Sequence, residues 1–233
     1  MNPFIAMILT LAASLAWLRI LNFAAQRGWI ESRLSRKLIH IGTGPIFVLC
    51  WLLFPGTWYD RYLAALVPGL ITVQFALIGL GVIKDEASVK AMSRNGDPRE
   101  ILRGPLYYGI MFVFLTLVFW KDSPVGMVAL MMMCGGDGVA DIVGRRMRSA
   151  RLPWSGEKSV AGSVSVLLGG FGLSAVIVWV YVALNVFPAP FVSYLPPLAV
   201  IALVSTAVES LPHKDIDNLT MTLTAALLGW WLF

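Results

Sequence analysis

Charge is scarce in this chain. Asp, Glu, Lys and Arg make up 13% of its 233 residues, about half the share of an ordinary soluble domain. That scarcity excludes the usual water-facing surface of a soluble globule of this length. Cysteine is scarcer still. Cys50 and Cys134 both lie inside apolar runs, which argues against a disulfide framework and against a cysteine-based zinc site. No internal repeat or low-complexity segment is present. The net charge of +5 excludes little by itself. In a soluble protein it would hint at nucleic acid. Here a topological bias accounts for it, and no nucleic-acid partner is expected.

What the chain has is hydrophobicity. Apolar residues make up 58% of it and the mean hydropathy is +0.77. A bilayer-spanning helix needs roughly 20 mostly apolar residues, and the runs here predict about eight: 3–23, 38–54, 62–83, 106–120, 125–143, 160–187, 191–208 and 219–233. The predicted fold class is all-α, a polytopic transmembrane helical bundle forming one domain over residues 1–233. Arg19 and the lack of a small-residue cleavage pattern predict a retained first helix rather than a cleaved signal peptide. Turn chemistry supports the boundaries. Phe54-Pro55-Gly56 ends one run, Ser123-Pro124 reads as an N-cap with proline at the first helical position, and Pro188 and Pro190 separate the sixth run from the seventh. Trp51, Trp58, Trp120, Trp154, Trp230 and Trp231 fall near run ends, as an aromatic belt requires.

The connectors after runs one, three, five and seven hold fifteen of the eighteen Lys and Arg residues. The opposite connectors hold Arg61 and Lys121, and Arg19 lies within a run. By the positive-inside rule the first set of loops is cytoplasmic and both termini lie outside. Arg27, Arg33, Lys90 and Arg94 read as ordinary topological charges.

Polar groups within or beside the apolar runs carry more information. Asp137 and Asp141, in Gly135-Gly-Asp-Gly-Val-Ala-Asp-Ile-Val-Gly-Arg-Arg146, are four apart and share one helical face. Like charges at that spacing repel, and an ionised Asp at the centre of a membrane helix costs about 2.5–3.5 kcal/mol on insertion scales. Arg145 continues the stripe and offsets part of this cost. A divalent cation offsets it better, and Mg²⁺ takes one or two carboxylates plus substrate phosphates. The glycines around Asp137 point to close approach of a ligand or of another helix.

A second cluster follows in Trp154-Ser-Gly-Glu-Lys-Ser-Val-Ala-Gly-Ser163. Lys158, the Ser159 hydroxyl and the N–H groups of a starting helix suit a phosphate, although the spacing of a Walker A loop is absent. Three more polar groups share the predicted cytoplasmic side: Arg36-Lys37-Leu-Ile-His40, Arg99-Glu100-Ile-Leu-Arg103, and Glu209-Ser210 with Asp215-Ile-Asp217-Asn218. Carboxylates for a metal, several basic groups and a glycine-rich surface suit a nucleoside triphosphate with Mg²⁺, because phosphoryl transfer is mostly positioning and charge stabilisation. Apolar spans beside such a site suit a lipid substrate with its hydroxyl at the membrane surface.

Gly136-Asp-Gly-Val-Ala-Asp-Ile-Val-Gly-Arg-Arg146, Leu152-Pro153, Glu157-Lys-Ser-Val-Ala-Gly-Ser163, Glu209-Ser-Leu-Pro212, Asp215-Ile-Asp-Asn-Leu-Thr220 and Arg36-Lys-Leu-Ile-His40 resemble motifs of the phytol kinase family and of the related dolichol and polyprenol kinases, the first being the most specific. The resemblance spans roughly residues 33 to 230. It implies an integral membrane kinase that moves a phosphoryl group from CTP, or a related nucleotide, to phytol or a similar isoprenoid alcohol at the cytoplasmic face. It also implies roles. Asp137 and Asp141 would hold Mg²⁺ or orient the nucleotide, with Asp137, Asp141 and Lys158 catalytic. Gly136, Gly138, Arg145, Arg146, Ser159, Gly162, Glu209, Asp217 and Asn218 would complete the nucleotide site. The plant members carry an N-terminal extension that this sequence lacks, which leads us to expect a bacterial inner membrane. Two other readings stay open: a phosphatidate cytidylyltransferase-like enzyme making a CDP-lipid, and a small ion-coupled transporter using the intramembrane Asp residues. The oligomeric state is not legible.

Overall fold

The computed structural model describes every residue except Arg94, Gly156 and 213–215, and every side chain among these except those of Lys90, Ala91 and Arg145. The described residues form ten α-helices: α1 (Pro3–Gln26), α2 (Ser32–Cys50), α3 (Asp60–Gly79), α4 (Glu86–Met92), α5 (Gly104–Val118), α6 (Pro124–Met131), α7 (Gly138–Arg146), α8 (Val160–Ala183), α9 (Phe191–Glu209) and α10 (Asp217–Leu232). Short 3₁₀ turns extend α2 over Trp51–Leu53 and precede α5 over Pro98–Leu102, while a π-helical segment, Met132–Asp137, joins α6 to α7. The described residues form no strand beyond one isolated bridge between Arg151 and Ser159.

Seven of the helical stretches are long and apolar enough to cross a membrane. The eighth expected span is α10, whose 16 residues reach about 24 Å at 1.5 Å per residue, short of a hydrocarbon core about 30 Å thick. The second run also starts earlier than the apolar pattern suggested. Glu31 sits at the N-cap and Ser32–Lys37 is already helical, because its polar turn continues the same helix out of the apolar zone.

One span is unlike the rest. The continuous stretch from Pro124 to Gly144 is 72% buried inside the protein, whereas the other six are 17–33% buried. Its residues Met127–Cys134 are all almost fully enclosed. A helix that is apolar on every side belongs in the middle of a bundle, and α2, α5, α8, α9 and α10 pack against it. Small residues let them come close. A Cβ added to Gly135 would meet the Gly169 carbonyl oxygen at 2.7 Å, and one added to Gly170 would meet Met132 Sδ at 2.5 Å. α1 lies at the outside, with Ile5, Ile8, Leu9 and Ile20 exposed towards lipid.

The tryptophans divide. Trp58, Trp154, Trp230 and Trp231 are exposed, as a belt requires. Trp51 and Trp120 are instead core residues, 0% and 5% exposed, with ring centroids 5.0 Å apart. Each is large enough to fill the space between the end of α2 and the start of α6, and this overrode its place near a run end.

Candidate active site at the charged end of the bundle

The start of α2, the end of α7, the loop before α8, the end of α9 and the start of α10 meet at one end of the bundle. Helices running in alternating directions bring them there. The π-helical segment is where this end is shaped. It carries one extra residue in its turn relative to an α-helix, over Gly135 and Gly136, and it releases Asp137 towards α2. His40 Nε2 lies 3.3 Å from the Met133 carbonyl and 3.4 Å from Asp137 Oδ2. Behind His40, the Tyr108 hydroxyl donates to the His40 carbonyl at 2.9 Å and lies 3.1 Å from Cys134 Sγ, with the Tyr108 and His40 rings 4.5 Å apart.

Asp137 and Asp141 face a common cation. Lys37 Nζ lies 3.6 Å from Asp137 Oδ2 and 3.6 Å from Asp141 Oδ2, and all three side chains are 20–26% exposed. The sequence assigned the charge offset to Arg145 or a metal. The structure supplies Lys37, from another helix. The Arg145 side chain lies outside the described residues, as does Asp215. Beside the lysine a cavity of about 180 Å³ is lined by Glu31, Arg33, Leu34, Lys37, Asp141, Ile142 and Arg146. Arg33, read from the sequence as a topological charge, therefore joins Lys37 and Arg146 around one opening.

The second cluster is held differently from its sequence expectation. Lys158 Nζ donates to Glu209 Oε1 at 2.7 Å and to Asp217 Oδ2 at 3.3 Å, and also to the Glu209 main-chain carbonyl. It ties the loop before α8 to the end of α9 and the start of α10. Trp154 Nε1 adds a bond to Ser210 Oγ at 3.2 Å. Asn218 follows Asp217 in the first turn of α10.

The α8 N-terminus corrects another expectation. Its N–H groups are not open to a phosphate. Val160 donates to the Ala150 carbonyl, Ala161 to Ser149 Oγ, Gly162 to Ser159 Oγ and Ser163 to the Ser159 carbonyl, at 2.9, 3.0, 3.2 and 3.0 Å. Ser159 acts as an N-cap, and Gly162 lies beside α7, where a Cβ on Gly144 would stand in ordinary contact 3.5 Å from Gly162 Cα. Gly136 and Gly138 are likewise packing positions. Both are buried, the first against Val166 and the second against Ile41 and His40.

The two clusters adjoin. A Cβ on Gly136, next to Asp137, would lie 3.7 Å from Met221 Sδ, one turn beyond Asp217 on α10. As donors, two carboxylates converging on one cation position fit Mg²⁺, which completes its shell with phosphate and water oxygens. Among the described residues no three His, Cys, Asp or Glu side chains form a fuller metal-binding group.

Comparison with known proteins decides the lineage. A maize protein named probable phytol kinase, chloroplastic, is 42% identical over 228 residues, covering 97% of this chain and 75% of that one. The chain belongs to the phytol kinase family. Arabidopsis thaliana proteins named phytol kinase 1, chloroplastic, and farnesol kinase, chloroplastic, are 38% and 44% identical, covering 94% and 89% of this chain and 73% and 68% of their own lengths. No family model matches the chain, and no solved structure matches it. These phytol kinase relatives are chloroplastic plant proteins, which lends no support to the expected bacterial inner membrane. Seven apolar helices make the chain an integral membrane protein.

Lys37 and His40 were singled out in the sequence as parts of a motif with no role assigned, Arg33 was read as a topological charge, and Tyr108 was missed. Lys37 and His40 stand three apart at the start of a helix, hence on one face. That spacing was the available signal.

Proposed function

We propose that the chain is a kinase of isoprenoid alcohols, transferring the γ-phosphoryl group of CTP to phytol or a similar prenol. The alcohol oxygen forms a bond to the γ-phosphorus, the bond to the bridging oxygen breaks with its electron pair leaving on CDP, and the hydroxyl proton passes to solvent. The observation that carries this reading is the cavity lined by Arg33, Lys37 and Arg146 beside the paired Asp137 and Asp141, in a chain related along nearly its whole length to proteins named phytol kinase and farnesol kinase.

In this reading the three basic groups bind phosphate oxygens and neutralise charge that spreads over the transferring group. Asp137 and Asp141 would hold Mg²⁺, which when bound screens the charge between the phosphates. His40 orients Asp137, and Lys158 with Glu209 and Asp217 fixes the frame around them. The apolar helices beside this end hold the prenol tail, and the reaction takes place on the cytoplasmic face given by the charge bias.

Membranes containing the protein, supplied with Mg²⁺, a C15–C20 prenol and γ-labelled CTP, are expected to yield a labelled lipid phosphate. Absence of that product with phytol, farnesol and geranylgeraniol alike would overturn the proposal. A parallel reaction with α-labelled CTP separates the cytidylyltransferase reading, since only that enzyme leaves the α-label on the lipid.

A further inference from the structure

Lys37 belongs to two places at once. Its ammonium lies between Asp137 and Asp141, and its side chain also lines the cavity that Arg33 and Arg146 flank. At 3.6 Å it is beyond hydrogen-bonding distance of either carboxylate. The charge-assisted bonds of a settled ion pair run about 2.7–2.9 Å. The ammonium is therefore held by the field of two like charges and not by directed bonds. It is also about a quarter exposed, on a flexible four-carbon stem.

Lys37 brings one positive charge to the two carboxylates, whereas a divalent cation brings two. The two cations compete for one position. When the stronger one takes it, the ammonium is repelled, and the cavity beside it is the side on which phosphates would stand.

Building on the function proposed above, we infer that Lys37 is an exchangeable internal counter-ion. It holds the two aspartates together while the site is empty of metal. It yields that position to a divalent cation and turns its charge onto a nucleotide phosphate. Lys37 is thus a placeholder and a phosphate ligand in sequence, and the same movement makes metal and nucleotide binding mutually supportive. The elements packed around it contribute Arg33, Arg36 and His40 on its own helix, Glu31 at that helix's N-cap, and Asp137, Asp141 and Arg146 opposite.

The test uses the purified full-length protein in detergent without nucleotide or prenol, so that it stands apart from the reaction assigned above. Binding of Mn²⁺ is followed by the electron paramagnetic resonance signal of the unbound ion. Removing a competing unit charge beside the ion is expected to tighten Mn²⁺ binding about tenfold in Lys37→Met. Its melting temperature in a chelator should fall below that of the unsubstituted protein and recover on adding Mg²⁺. Lys37→Gln serves as the second variant if the first does not fold. In the turnover assay the KM for nucleotide should rise about tenfold, as for loss of one phosphate contact. Mn²⁺ binding that is unchanged, weaker or absent in both variants would overturn the inference. A variant that binds Mn²⁺ more tightly in a protein that makes no prenyl phosphate would instead overturn the assigned reaction and leave the counter-ion role standing.

Discussion

Two lysines at the same end of this bundle each face two carboxylates. Lys158 reaches Glu209 at 2.7 Å and Asp217 at 3.3 Å and adds a main-chain carbonyl of α9. Lys37 stands 3.6 Å from both Asp137 and Asp141. The first ammonium spends its donors on protein and joins three elements, with Glu209 only 11% exposed. The second is more exposed and faces a cavity. Charge inventory alone does not separate the two groups, because both hold one cation and two anions. Distance, exposure and the neighbouring space do. A buried pair with short bonds is costly to break, whereas a loose, partly wet one is free to exchange partners.

Substitutions on the two sides should therefore behave in opposite ways. The largest effect is expected from Asp137→Asn, which should lower phosphoryl transfer at least 100-fold, about 2.7 kcal/mol at the transition state, with little change in melting temperature. Labelled-CTP turnover on membranes and thermal unfolding in detergent read the two halves of that statement. A comparable loss of fold would erase the distinction between the clusters. Next comes Lys158→Met, which strands the Glu209 carboxylate and should destabilise the protein by about 2–3 kcal/mol. Adding Glu209→Gln should return part of the loss in a double-mutant cycle. If Lys158→Met melts as the unsubstituted protein does, Lys158 does not brace the elements it joins. Tyr108→Phe removes the bonds to the His40 carbonyl and Cys134 and should cost about 1 kcal/mol in unfolding experiments. The smallest change is expected from Asp217→Asn, about 0.5 kcal/mol, since this carboxylate is 31% exposed and its bond is the longer of the two. An effect as large as that of Lys158→Met would make Asp217, and not Glu209, the anchor.

Much of the bundle was legible because a membrane span announces itself as a long apolar run, and Pro124, Pro188 and Pro190 fall at its breaks, although Pro45, Pro68, Pro196 and Pro197 lie inside helices. Asp137, Glu209 and Lys158 stood out because charge beside apolar surface needs an explanation. Their pairing was not legible. Lys158 meets Glu209 and Asp217 across 51 and 59 residues, and no local rule connects them. Lys37 stood in a noted motif but its partners did not show, and Arg33 was hidden by its place: a basic residue at the start of a span orients the protein whether or not it also lines a cavity. The α8 start misled for a different reason. Its helix was foreseen, but the donors Val160 to Ser163 are satisfied by Ala150, Ser149 and Ser159, and that depends on how the preceding loop folds back. Trp51 and Trp120 show the same limit, since an aromatic near a span end suits a belt or a core equally well.

The π-helical segment Met132–Asp137 has a consequence for how the chain tolerates insertions and deletions. Each residue of an α-helix turns its successors by about 100°. The π turn already absorbs one extra residue, but deleting one from the α-helical stretch Pro124–Met131 would turn Asp137 and Asp141 away from α2 by that angle, and Gly135 would lose its crossing with Gly169. Changes in the length of the connectors, such as 54–59 or 184–190, impose no such rotation on the acids. The interval from Pro124 to Asp141 is accordingly expected to keep a fixed length among the relatives of this chain, while the connectors drift.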